Sequence, residues 1–476
     1  MGEIVLKPGV SVVGSGDIRR PDGMILNERG FYDQNSHIMP ENFIETGGMI
    51  SDDEYSTWIE YVPDSYTGND PVPLVVSCHG GGQSGWGQAY GTSWMNVADR
   101  EGFIVVFPDA KKQHAWRVNR TPDDRDLDSP DIRFLKALIE KMKEKYNIDD
   151  RRIFMQGMSM GDLVTLQFAR THGDLLAGAA CAAGPAEKTT LFTDQGNTKK
   201  HICPVPMFES RGEHDSMEGH EQRFIKNKAN LDFWRQINGC TTDPEFEINM
   251  DNNYIYFQGN EADVIYRDVK ARGHGQTFDD ADFVWRKFFS RLKRVNGKII
   301  RDKSVKEIRG DDKAVVFAEQ CSKIYVNNKI IPLEGPVPYI VQDILTYPQD
   351  VPEPILENFK KMHFDFEPVL YVPVAGIAQA FQLKAKISGE TAEIILPDGK
   401  HLRFSAGNVG CVCDNTIYSM NRQAEFKDGY LFISAKWFAA MFLNRFVIEN
   451  RGVLYISDHY GEMTWDMSEF IKTFLK

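Results

Sequence analysis

The sequence predicts a doubly wound α/β domain followed by a smaller duplicated α+β module. Three observations carry this. Short apolar runs alternate with amphipathic helical stretches between about 55 and 294; the apolar runs end in polar or glycine-bearing clusters; and two segments beginning at 371 and 432 align without gaps. Unbroken apolar runs mark strands buried on both faces, and helices between consecutive strands give a mostly parallel sheet covered on both sides. In such sheets the functional loops lie outside the carboxyl ends of the strands, where the polar clusters fall.

Residues 1–50 are rich in Gly, Pro and Asn with weak periodicity, and are expected to form an irregular N-terminal extension. The α/β domain is expected over 51–296. YSTWIEYVP (55–63) reads as a strand leading into a turn, LVVSCHGGG (74–82) as a buried strand ending in glycines, and FIVVFPDA (103–110) as another ending in Pro-Asp. SPDIRFLKALIEKMKEKY (129–146) has helical apolar spacing, with Ser129 suited to the N-cap and Pro130 to the first turn. RRIFMQGMS (151–159) reads as a strand, DLVTLQFARTH (162–172) as a helix and LAGAACAAG (176–184) as a small-residue strand. VPMFESRGEHD (205–215) and VIYRDVKARGH (264–274) are strands finishing in polar clusters, and DADFVWRKFFSRLKR (280–294) closes the domain as an amphipathic helix.

NGKIIRDKSVKEIRGDD opens a linker over 297–320, and the module occupies 321–476. There YVPVAGIAQAFQLKAKI (371–387) and FISAKWFAAMFLNRFVI (432–448) each read strand, helix, strand, followed by a further apolar strand, EIIL (393–396) or LYIS (454–457). Two copies are too few for a solenoid.

The bulk numbers exclude several functions. A net charge of −13 without a long Lys/Arg run argues against a nucleic-acid partner. No stretch approaches eighteen consecutive apolar residues, so no membrane-spanning helix is expected. The N-terminus MGEIVLKPGVSVVGSGD lacks the basic start and apolar run of a signal peptide; the sequence as given reads as cytoplasmic, with secretion the alternative if a leader was trimmed. Seven cysteines form no C-x-x-C pair and have no histidine at zinc spacing, so neither a metal nor a disulfide framework is expected. Cys78 and Cys181 read as buried thiols. The cluster His214, Glu218, His220 and Glu221 reads as a solvated loop rather than a metal site.

MQGMSMGD (155–162) contains Gly-x-Ser-x-Gly, the pattern of a nucleophile on a sharp strand-to-helix turn. A serine there is inert without a base, an acid to orient the base, and donors for an oxyanion. Downstream of Ser159, Asp215 and His274 each end a predicted strand, in the order this architecture requires. Glu213 is the rival for the acid. Upstream, His79-Gly80-Gly81-Gly82 sits where an oxyanion loop belongs, with the Gly81 and Met160 amides as its donors. Trp86 and Trp116 are candidates for the substrate cleft, with rim packing the alternative for both.

These residues resemble a known group. LVVSCHGGGQSG, FPDA followed by HAWR, NIDDRRIFMQGMSMG and FWRQINGC are similar to the esterases that include polyhydroxybutyrate depolymerases and feruloyl esterases, over roughly 55–294. Asp149–Gly161 reproduces that group's D-x-x-R-(V/I)-(Y/F)-x-x-G-x-S-x-G phrase. The resemblance implies an α/β-hydrolase with Ser159, Asp215 and His274 as its triad and no cofactor. It departs at Asp162, usually glycine, and at Gly275-Gln276, usually aromatic or apolar and here assigned to the substrate rim. Residues 321–458 resemble the duplicated stalk-like domain named for the N-terminus of copper amine oxidases, which implies a spacer, assembly or surface-attachment role and no copper site.

The expected activity is hydrolysis of feruloyl or acetyl esters on plant polysaccharide. A hydroxyalkanoate polyester or oligomer is the second substrate and a peptide the third; a non-catalytic binding protein with a degenerate hydrolase domain is the alternative of another class.

Overall fold

The structure, a computed structural model, describes residues 18–19, 25–26, 42–111, 115–125, 127–216, 218–305, 307, 309–342, 351–362 and 367–476. It divides into two compact units, one comprising Met1–Pro244 and Tyr254–Arg309, the other Glu245–Asn253 and Gly310–Lys476.

The first unit is built on a mixed sheet of β1 (Phe43–Ser51), β2 (Glu54–Tyr61), β3 (Val72–Cys78), β4 (Ile104–Pro108), β5 (Ile148–Met158), β6 (Gly178–Ala182), β7 (Met207–Gly212), β8 (Asn252–Phe257) and β9 (Val264–Val269). Their order is β8-β9-β7-β6-β5-β3-β4-β2-β1. The ladder from β9 through β7, β6, β5 and β3 to β4 is parallel, and β2 and β1 add antiparallel strands at one edge. The doubly wound α/β expectation is met. Helices α1 (Gly85–Gly91), α2 (Trp94–Glu101), α3 (Pro130–Lys145), α4 (Met160–His172), α5 (His220–Ile237) and α6 (Asp280–Lys287) join the strands. Helix α3 starts as the sequence requires: Ser129 Oγ caps the Ile132 amide and Pro130 opens the first turn, while Ile132, Leu135, Leu138, Ile139 and Met142 are buried.

Three expectations change. Most of 1–50 lies outside the described residues, but Phe43–Ser51 is a strand, because Phe43 inserts against Trp86 and Tyr90 while the backbone pairs with β2. The closing helix stops at Lys287 instead of running to 294. Phe288 and Phe289 are both fully buried, and the chain continues as a hairpin, β10 (Leu292–Val295) and β11 (Lys298–Arg301). Its turn is Asn296-Gly297, both at positive φ (50° and 76°), the two-residue turn that matches strand twist. The start of the expected linker is thus paired strand, and the second unit begins earlier than 321 and includes a segment near 250.

The second unit contains β12 (Val315–Ala318), β13 (Lys323–Val326), β14 (Lys329–Pro332), β15 (Tyr339–Val341), β16 (Val369–Pro373), α7 (Val374–Ala380), β17 (Lys384–Ser388), β18 (Thr391–Ile395), β19 (His401–Ser405), β20 (Gly410–Cys413), β21 (Thr416–Ser419), β22 (Glu425–Lys427), β23 (Tyr430–Ser434), α8 (Ala435–Phe442), β24 (Phe446–Asn450), β25 (Val453–Ser457) and α9 (Trp465–Leu475). Its sheets run β14-β13-β12-β25-β24, β15-β16-β23-β22 and β17-β18-β19-β20-β21. The two repeats are β16-α7-β17-β18 and β23-α8-β24-β25, and the duplication extends further than the repeated sequence. Strands β19, β20, β21 and β22 complete the first copy; β12, β13, β14 and β15, which come earlier in the chain, complete the second. The first strands of the copies pair antiparallel with Val372 opposite Ile433 and with Tyr371–Ser434 and Pro373–Phe432 flanking them, so equivalent residues meet on a local two-fold axis. The interior obeys the same symmetry. Ala392, Ile394, Leu402, Phe404, Cys411 and Cys413 from one copy share a core with Leu454, Ile456, Val315, Phe317, Ile324 and Val326 from the other.

Ile433 lies on that axis and is buried. Ile433→Ala is expected to lower the stability of this unit by about 2–5 kcal/mol, read as a lower unfolding temperature of its transition in scanning calorimetry.

Candidate active site

Ser159 occupies the junction of β5 and α4 with φ 56° and ψ −114°, a conformation that L-residues rarely hold. Hydrogen bonds over-determine it: the Ser159 amide donates to the Ala182 carbonyl at 2.8 Å, and its own carbonyl accepts from Leu163. Three glycines let the backbones come close enough. A Cβ on Gly157 would run into the Gly161 carbonyl, one on Gly161 into the Cys78 and His79 carbonyls, and one on Gly184 into the Ser159 carbonyl. The Gly-x-Ser-x-Gly spacing is therefore a packing requirement of this turn.

Beside it, the loop after β3 is fixed from within. His79 is fully buried; its Nε2 accepts the Ala110 amide at 3.0 Å, which leaves the proton on Nδ1 to be donated to the Gly80 carbonyl at 2.6 Å. Trp116 Nε1 donates to the His79 carbonyl at 2.7 Å, and the two rings pack 4.9 Å apart. Gly81, one of the two residues whose amides are expected to form the oxyanion hole, lies directly against the side chain of the other, Met160. No acceptor among the described residues takes either amide.

His274 follows β9 on an exposed loop. Its Nε2 is 2.9 Å from Ser159 Oγ and its Nδ1 is 2.8 Å from Asp215 Oδ1, so one imidazole bridges the two other sequence-predicted residues. The bond to Asp215 favours the charged ring and holds its pKa above the usual histidine value of 6.5, against partial burial, which lowers it. The loops carrying Asp215 and His274 are joined by backbone bonds from Glu213 to Val269 and from His214 to Arg272. Gly212 permits this approach, since a Cβ there would strike the Arg272 and Gly273 carbonyls. Glu213 is occupied elsewhere: its carboxylate accepts from Lys270 Nζ at 2.9 Å and from the Ala271 amide at 3.1 Å, fastening the base of the histidine loop.

Two sequence assignments are revised, those of Trp116 and Gln276. Trp116 is only 2% exposed and cannot line a cleft; its indole N–H is committed to holding the His79 loop. Trp86, half-buried, stacks on Tyr90 with Phe43 against both rings. The Gln276 side chain turns inward, to Gln156 and Gln88, rather than to a substrate rim. Among the described residues no three of His, Cys, Asp or Glu are grouped to hold a metal, and no helix is long and apolar enough to cross a membrane.

Sequence reasoning missed Arg211. Asp162, one turn from Ser159, is fully buried and accepts from the Gly184 amide at 2.8 Å and Arg211 Nη1 at 2.9 Å; Glu209 accepts from the other guanidinium nitrogen at 3.1 Å. Two buried carboxylates share one cation. Burial holds the Asp162 pKa up at about 6, opposed by Arg211, and that of Glu209 up at about 7. Two opposite charges, Glu209 and Arg211, two residues apart and so on one face of a buried strand, are the available signal.

Residues 57–185 match the model of the family described as esterase PHB depolymerase. The matched segment lies within the α/β unit and is similar to that esterase family. Its relatives include a bifunctional acetylxylan esterase/xylanase of Neocallimastix patriciarum, 27% identical over 47% of this chain and 32% of the relative. Feruloyl esterase B of Piromyces equi is 26% identical over 47% of this chain and 43% of the relative. Poly(3-hydroxyalkanoate) depolymerase C of Paucimonas lemoignei is 31% identical over 28% and 33% respectively. The chain thus spans less than half the length of each. The family match includes β3, the His79 loop and the Ser159 turn of the α/β unit, and ends before Asp215 and His274.

Because Asp162 and Glu209 hold their protons more tightly folded than unfolded, the cluster favours folding at low pH. Its contribution to stability is expected to fall as pH rises from about 4 through about 7. Glu209→Gln should flatten that fall in a series of unfolding temperatures against pH. Asp162→Gly leaves the Gly184 amide without its acceptor and breaks the pair with Arg211; a loss of about 3–5 kcal/mol is expected in denaturant unfolding at pH 7.

Proposed function

We propose that the chain is a serine carboxylic-ester hydrolase whose substrates are feruloyl or acetyl esters on plant polysaccharide. The observation that carries this is the continuous hydrogen-bonded relay from Asp215 through His274 to Ser159. In this reading His274 Nε2 takes the Ser159 proton as Oγ attacks the acyl carbonyl. Asp215 fixes the tautomer and steadies the imidazolium, and the Gly81 and Met160 amides receive the developing oxyanion. The imidazolium then protonates the departing alkoxide, and water releases the acid by the same route. The exposed His274 leaves room for an alcohol as large as a sugar chain, and the acetylxylan and feruloyl esterase relatives support that class. A polyhydroxyalkanoate substrate is the second reading, favoured by the family description and the depolymerase relative. For the second unit we propose the spacer, assembly or surface-attachment role that its stalk-like resemblance implies.

Ser159→Ala is expected to abolish p-nitrophenyl acetate turnover and labelling by a fluorophosphonate while leaving the unfolding transition in place; retained turnover would overturn the assignment. Only neutral His274 can accept the proton, so kcat/KM should rise with pH to a plateau whose midpoint lies above 6.5. Asp215→Asn should move that midpoint down and lower kcat by roughly 10³–10⁴-fold. Turnover of methyl ferulate, acetylated xylan and hydroxybutyrate oligomers, compared side by side, separates the two substrate readings.

A further inference from the structure

Below the candidate site three glutamine side chains close a ring. Gln88 Nε2 donates to Gln156 Oε1 at 3.1 Å, Gln156 Nε2 to Gln276 Oε1 at 2.9 Å, and Gln276 Nε2 back to Gln88 Oε1 at 3.1 Å. Each amide gives one N–H and accepts one, so every donor in the ring points the same way round. The ring is anchored beneath: Gln156 Oε1 also accepts from Ser77 Oγ at 2.8 Å and Trp94 Nε1 at 3.1 Å, and Gln88 Nε2 also donates to Ser77 Oγ at 2.9 Å. Gln88, Gln156, Ser77 and Trp94 are almost completely buried.

The three members come from the three segments whose relative placement sets the chemistry. Gln88 lies on α1, the helix entered directly from the His79–Gly82 loop. Gln156 lies on β5, three residues before Ser159. Gln276 lies two residues after His274, just past Gly275 at φ 135°. Apart from its bonds to Asp215 and Ser159, the exposed imidazole has no other polar side chain to orient it in the described hydrogen bonds, and its loop is held at Glu213 before it and at Asp280 after it. On the side that follows the imidazole in the chain, the ring is the first inward side-chain anchor. The void bordering it, lined by Trp94, Gln156, Ser210, Arg267, Gln276 and Asp280, measures about 10 Å³, far too small for a ligand, so the ring is not a binding site.

We propose that Gln276 is a positioning residue: through the amide ring with Gln156 and Gln88, it fixes the histidine loop, and with it the imidazole, relative to Ser159 and the oxyanion loop. This rests on the assignment of Ser159 and His274 made above. The ring resists displacement because opening it strands the buried Gln156 Nε2 donor and Gln88 Oε1 acceptor away from water, and small displacements of a general base are costly in rate.

The test is Gln276→Met, which keeps length and removes both hydrogen bonds, with Gln88→Met and the double variant. Three quantities are measured on the full chain: the second-order rate of fluorophosphonate labelling, kcat and KM for p-nitrophenyl acetate, and the unfolding temperature. Gln276→Met is expected to lower both the labelling rate and kcat by roughly 10–100-fold with KM within about twofold. Adding Gln88→Met should cost little more, because one opened ring has already released the loop. Gln276→Glu, which keeps an acceptor for Gln156 Nε2, should recover part of the loss and serves where the methionine variant does not fold. Labelling and kcat within twofold of the parent protein, whatever the change in unfolding temperature, would overturn the proposal, as would additive losses in the double variant. If the parent protein itself is not labelled, it is the Ser159 assignment that fails.

Discussion

The site depends on one constraint: Ser159 must sit at positive φ while three backbone segments close around it. A side chain on any of Gly157, Gly161 or Gly184 would push the β5–α4 turn away from β3 or β6. The strain of the turn is carried by those strands, which are fully buried and paired on both sides. What a linear motif expresses as two glycines around a serine is, in three dimensions, a close approach of strand, helix and loop, and the third glycine comes from another strand end, 25 positions after the serine.

Around that turn the chain uses polar contacts where a purely apolar interior would have held the sheet together. Asp162 reaches from the first turn of α4 to Arg211 on β7, the strand that leads to Asp215. The Gln88–Gln156–Gln276 ring reaches to the histidine loop from the other side. Buried polar groups of this kind contribute little net stability but have few alternative arrangements, so they select one geometry. Both networks lie directly below the loops that carry chemistry, where a unique arrangement matters most.

Much of this was legible in the sequence because it depends on local order: the strand–turn–helix around Ser159, the acid and histidine at strand ends, and the Ser129-Pro130 helix start all follow from neighbours in the chain. What escaped reading depends on partners far away. Trp116 looks like an exposed aromatic until His79 claims its N–H; Gln276 looks like a rim residue until two other glutamines enclose it. Asp162 reads in sequence only as a departure from glycine, because its partner Arg211 lies 49 positions on. The hairpin at Asn296-Gly297 is a different case, since its two-residue turn signal is local and was outweighed by the helical spacing of the preceding residues.

The interleaved duplication of the second unit has a consequence for how it is made. Val315–Ala318 pair with Val453–Ile456, so the second copy's sheet is closed by strands from opposite ends of the segment, whereas the first copy's five strands are consecutive. Strands β12 to β14 leave the ribosome early and can pair with one another, yet the other edge of β12 has no partner until β25 follows, long after the first copy has been synthesised. Its chain must therefore remain partly unpaired through most of its own translation, with apolar edges such as Val315 and Phe317 exposed, and its final closure is a long-range event of the kind that makes folding slow. A duplication that reads in sequence as two modules side by side is, for the nascent chain, a single knot of pairing drawn tight at the end.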